Sequence, residues 1–111
     1  MVIFQLDGKY GTALAEHYAG RGLSIAGLFD VSHGRGVAPS EWPEPMPGLP
    51  CGYAGGLSPE NVAGHLERIQ DVAQDGAWID AETWLRSPDG ERFDLERAAK
   101  FLEAAKPWVA K

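Results

Sequence analysis

Apolar residues in this chain fall into short continuous runs separated by longer stretches in which they recur every three or four positions. Val2 to Leu6 is a β-branched and aromatic run closed by Asp7-Gly8, the pattern of a buried strand and its turn. A helix is predicted from Ala13 to Gly20, with Leu14 and Tyr18 four apart on one face and Gly20 and Gly22 as its stop. Ser24 to Phe29 reads as a second strand ending at Asp30. Ser32 to Gly48, rich in Gly and Pro, then reads as a long loop with one short turn near Glu41-Trp42. The third strand, Cys51 to Ala54, runs into Gly55-Gly56-Leu57-Ser58-Pro59, where Ser58 is the predicted N-cap and Pro59 the first helical residue. Val62, Leu66, Ile69 and Ala73 give that helix a one-sided apolar stripe. Ala77 to Ile79 is the fourth strand with Asp80 at its carboxyl end. Asp94 caps a last helix carrying Leu95, Ala98, Phe101, Leu102 and Ala105, and Pro107 stops it.

Strand and helix alternate four times, with a loop in place of the second helix. Such an order specifies an α/β fold with a parallel sheet and right-handed crossovers. At 111 residues the chain has room for one domain, 1–111, and one modest core. With 44% hydrophobic and 23% charged residues it is neither disordered nor membrane-spanning by composition, and Met1-Val2-Ile3-Phe4 lacks the basic start of a signal peptide. A cytoplasmic location is expected. The single Cys51 excludes an internal disulfide framework and a thiolate zinc cage. Sixteen acids against ten scattered bases, net −6, argue against a nucleic-acid partner.

Candidate chemistry gathers where strands end. Gly55-Gly56 lets backbone N–H groups approach an anion, and a helix opening at Ser58-Pro59 would turn its positive end toward it. The same residues also make an ordinary tight, well-capped turn, and the sequence leaves both readings open. Asp7, Asp30 and Asp80 each close a strand, so a parallel sheet brings three carboxylates to one mouth, with His33 and Arg35 on the adjacent loop. That set suits acid-base work or weak binding of a hard cation; each Asp is also a common turn former. His17 and His65 fall on helices, where surface or half-buried roles are usual. Trp42, Trp78, Trp84 and Trp108 read as packing residues, with ligand stacking as the alternative.

The run Tyr53-Ala54-Gly55-Gly56-Leu57-Ser58-Pro59-Glu60-Asn61-Val62 resembles the seventh strand and following turn of phosphoribosylanthranilate isomerases, where Gly-Gly-Leu-x-Pro-Glu-Asn-Val helps hold a substrate phosphate. Leu28-Phe29-Asp30, Gly34-Arg35-Gly36 and Ser40-Glu41-Trp42 resemble the sixth strand and its glycine loop, with one extra residue before the Trp. Trp78-Ile79-Asp80 and Phe93-Asp94-Leu95 resemble the eighth strand and closing helix. The resemblance spans the chain but covers only units five to eight of that barrel. It implies phosphate contacts at Gly34, Gly36, Gly55, Gly56 and Ser58, an acid at Asp30, and no cofactor or metal. The family's base, a Cys on the first strand, has no counterpart, because Cys51 begins its strand and barrel sites form at carboxyl ends. Where the family has small polar residues after the eighth strand, this chain has Ala81-Glu82-Thr83, and the Glu82 carboxylate would repel a phosphate.

Four parallel strands cannot close a barrel that needs about eight, so the first and last would remain open edges. The expectation is therefore a homodimer in which each last strand pairs with the partner's first. A separately encoded first half, or an open sheet reordered in the flavodoxin-like manner, are the alternatives. The expected function is a self-associating half barrel that keeps a phosphate or anion site. The alternative is an Amadori-type isomerase of a phosphorylated aminosugar with Asp30 as acid.

Overall fold

The structure, a computed structural model, describes residues 1–6, 8–30 and 36–109. Four parallel strands lie side by side in chain order: β1 (Val2–Gln5), β2 (Ile25–Asp30), β3 (Cys51–Ala54) and β4 (Trp78–Asp80). Helix α1 (Gly8–Ala19) precedes β2, α2 (Val62–Val72) precedes β4, and α3 (Leu95–Ala105) follows a 3-10 turn at Thr83–Leu85. Residues 36–50 carry neither helix nor strand, as their Gly and Pro content predicts. The α/β architecture of parallel strands alternating with helices is thus present. Its consecutive strand order excludes the reordered open sheet.

Several boundaries differ from the sequence reading. Helix α1 starts at Gly8 rather than Ala13, because neither Gly8 nor Gly11 interrupts it. Its buried position is Ala15, with Tyr18 stacked on Phe4 of β1 at 5.8 Å. Helix α2 opens at Val62 with Asn61 in the cap position, three residues later than Ser58-Pro59 suggested. The intervening residues form a separate turn, in which the amides of Asn61 and Val62 donate to Ser58 O. Asp94 does cap α3, its side chain accepting from the amides of Glu96 and Arg97 at 3.0 and 3.2 Å. Pro107 ends the α-helix but not the coiling. Lys106–Trp108 continue as a 3-10 turn, since a missing N–H costs little in so short a segment.

The register sorts the strand residues cleanly onto two faces. Pairing of Val2 with Ile25, Gly27 with Cys51 and Tyr53 with Ile79 puts these residues, with Phe4 and Phe29, on one side. Both core clusters lie on that side. One joins Leu6, Ala15, Ile25, Met46, Leu49 and Cys51 under α1. The other joins Trp42, Tyr53, Leu57, Val62, Leu66, Ile69, Phe101 and Ala105 under α2 and α3. The opposite face carries Ile3, Leu28, Gly52, Trp78, Asp30 and Asp80, none of which belongs to either cluster. Ile3 is 55% exposed. A Cβ at Gly52 would overlap the Trp78 indole, so glycine is what lets that ring lie flat across β3.

Tyr53 is fully buried, and among the described residues its hydroxyl has no hydrogen-bond partner. Burial first, then the neighbouring Cys51 and Glu44, push its pKa up to about 12. An unpaired buried polar atom costs about 1–3 kcal/mol, so Tyr53→Phe is expected to raise stability by about 1 kcal/mol in urea unfolding. The tyrosine's contribution is complete below its ordinary value of 10.0 and is lost as pH rises toward about 12. The Phe variant should therefore lose less stability across that interval; equal losses in both proteins would contradict the assignment.

Candidate functional site

Parallel strands deliver their carboxyl ends to one rim, and this sheet does so for β2, β3 and β4. A cleft there is lined by Asp30, Gly36, Gly55, Gly56, Asp80, Glu82 and Thr83, together with Ala54, Leu57, Ala81 and Trp84. Seven of the residues singled out in the sequence thus meet at one place. Asp7, His33, Gly34 and Arg35 lie outside the described residues. The void is small, about 30 Å³, room for one or two waters.

The walls of the cleft depend on close backbone contact. Gly55 and Gly56 both take positive φ, 130° and 65°, and a Cβ on Gly56 would run into the backbone at Val37-Ala38. Gly36, with φ 73°, sits against Thr83 in the same way. Trp84 Nε1–H donates to Gly36 O at 2.8 Å and pins the loop to the 3-10 turn. That contact joins positions 48 residues apart, and the sequence reading of Trp84 as plain packing missed it.

Ser58 does not line the cleft. It is buried behind the glycine turn, where its N–H donates to Asn61 Oδ1 at 2.7 Å and its Oγ accepts the Asn61 N–H at 3.2 Å. Asn61 Nδ2–H in turn donates to Gly56 O at 2.9 Å. Serine and asparagine thus close a reciprocal turn that fixes Gly56, leaving the Ser58 amide engaged. Of Gly55, Gly56 and Ser58, the two glycines line the cleft.

Three carboxylates, Asp30, Asp80 and Glu82, share this lining, so the cleft is acidic. The Glu82 side chain stands at the rim, 72% exposed, 3.8 Å from Arg86. Among the described residues no three His, Cys, Asp or Glu side chains converge as a metal set. Nor is any described helix long and apolar enough to cross a membrane.

His65 is the residue whose role the sequence concealed most. It is 6% exposed, and its Nδ1 accepts from Trp42 Nε1–H at 3.1 Å and lies 2.9 Å from Arg68 Nη2. Two donors on Nδ1 require a neutral ring with its proton on Nε2. The pair fastens the middle of the 36–50 loop to α2, well behind the cleft. No family model, no curated protein and no solved structure matches the chain.

Burial, and then the Arg68 charge, hold His65 below its ordinary pKa of 6.5. A folded value below the unfolded one gives stability that is present above about 6.5 and lost as pH falls through the folded value. Denaturant midpoints measured on acidification should fall accordingly. His65→Asn, whose Oδ1 keeps an acceptor near the Nδ1 position, is expected to remove this component; an unchanged acid profile would take His65 out of the account.

Proposed function

We propose that this chain is one half of an eight-stranded parallel barrel, closed by a second copy, with an anion-binding turn at Gly55-Gly56 on the shared mouth. The observation that carries the reading is the one-sided sheet. All helices pack on one face, while the other presents Ile3, Leu28 and Trp78 with no cover from either core cluster. Among the described residues β1 and β4 are each paired along one side only. In a closed barrel that bare face becomes the interior and both edges become seams. The likeness of the sequence to units five to eight of phosphoribosylanthranilate isomerases supports the same arrangement and, through the Gly-Gly-Leu-x-Pro-Glu-Asn-Val run, the anion. Catalysis is not part of the proposal, because the positions that resemble the family supply an acid, Asp30, and no base.

The cleft of one chain is too small for a phosphorylated sugar, so a useful mouth exists only once two sets of strand ends face each other. Light scattering at micromolar concentration is expected to give twice the 12.0 kDa chain mass. Dilution should shift tryptophan emission to the red as Trp78 meets water. A monomer at all concentrations would refute closure.

Inorganic phosphate should move the amide resonances of Gly55 and Gly56. Removing the rim charge by Glu82→Gln is expected to tighten phosphate about fivefold, since a like charge about 4 Å away costs about 1 kcal/mol in water. Unmoved glycine amides at millimolar phosphate would remove the anion site while leaving the half barrel intact.

A further inference from the structure

Helix α1 touches both its own strand, β1, and the next one, β2. Right-handed crossovers impose that placement, since the helix after a strand must return over the neighbouring strand to reach it. Among the described residues no strand follows α3. α2 and α3 pack chiefly on each other, α3 also on the 3-10 turns at either end, and beside the β4 edge α3 leaves an open groove of about 800 Å³. Ile69, Trp78, Ile79, Phe101, Leu102 and Trp108 line it. The groove is open to solvent, and its lining is mostly apolar.

We infer that this groove is the seat of β1 from a second copy, with α3 covering β4 and the incoming strand just as α1 covers β1 and β2. The inference rests on the half-barrel reading and adds to it the place where each seam is sealed. An occupant beside β4 has to be a strand with a free edge and apolar side chains on both faces, one set for the barrel interior and one for α3. β1 meets each condition. Its outer edge is unpaired, Val2 on the helix side is 57% exposed, and Ile3 on the bare face is 55% exposed. Opposite it, Leu102 of α3 is 68% exposed although it lies in a groove of apolar side chains. Two-fold symmetry repeats the seam, so each chain both offers a strand and receives one.

The test compares the sedimenting mass of the full chain with those of Leu102→Lys, in the groove, and Ile3→Lys, on the bare face, each checked for an unchanged far-UV spectrum. Leu102 is exposed in one chain, so the substitution acts on association and not on folding. Both variants are expected to weaken association at least about thirtyfold, the effect of losing one central anchor. If Ile3→Lys dissociates the pair while Leu102→Lys sediments like the parent, the groove is outside the seam and this inference fails, although the half barrel stands. If the parent itself sediments as one chain, both fall together. Binding of an apolar dye that Leu102→Lys abolishes without changing the mass would assign the groove to a small ligand instead.

Discussion

Backbone N–H and C=O groups along a strand need partners on both sides, and among the described residues β1 and β4 each have a strand neighbour on one side only. Much of the structure follows from that constraint and from the handedness of the crossovers. Consecutive strand order with a constant hand sends every helix to the same face, so the core can form on one side alone. The other side carries Ile3 and Trp78 on its edge strands, with Leu28 and the small residues Ala26, Gly52 and Ala54 between them and the polar Gln5 beside Leu28. Large and small residues in register are what an interdigitating barrel interior requires. Fully burying an aliphatic side chain is worth roughly 1.5–3 kcal/mol, a sizeable part of the 5–15 kcal/mol by which domains are usually stable. A face of this kind is costly to leave in water.

The elements were legible where local chemistry sets them. β3 falls where the run Cys51 to Ala54 places it, and the Asp94 cap fixes the start of α3 to the residue. Failures occurred where a local signal had a second use. Ser58-Pro59 looks like a helix start, but Asn61 answers the serine in a reciprocal turn, and that pairing holds Gly56 instead of opening α2. Asp7-Gly8 read as the turn closing β1, yet helix α1 already begins at Gly8 and includes Gly11. Packing of Ala15 and Tyr18 against the sheet outweighs about 1 kcal/mol of propensity per glycine.

The site divides in the same way. Asp30, Gly55, Gly56 and Asp80 could be placed together from the sequence because strand ends in a parallel sheet converge by topology alone. What shapes the cleft was illegible, because it depends on pairs far apart in the chain. Trp84 reaches Gly36, Trp42 reaches His65 across 23 positions, and Arg97 reaches Glu60 across 37. A lone tryptophan or histidine carries no sign of its partner. His65 in particular occupies a position in the apolar face of α2 that a hydrophobic residue would fill as well, and only its buried Nδ1 between two donors gives the reason for histidine.

Arg97 links the cleft to the groove beside β4. From the first turn of α3 its Nη1 and Nη2 reach the Glu60 carboxylate at 2.9 and 3.2 Å, and its Nε donates to Trp84 O at 2.7 Å. The guanidinium holds the Glu60 carboxyl below its ordinary range. An exposed ion pair adds little stability, but a two-pronged contact with a third bond from the same guanidinium fixes direction. Three elements are fixed at once: the turn that leads into α2, the 3-10 turn that carries Thr83 and Trp84, and α3. The 3-10 turn in turn holds Gly36 through Trp84, and the next residues, Val37-Ala38, lie against Gly56. The helix that borders the groove beside β4 and the residues that wall the cleft are therefore oriented by one side chain, and neither can shift without drawing on the other.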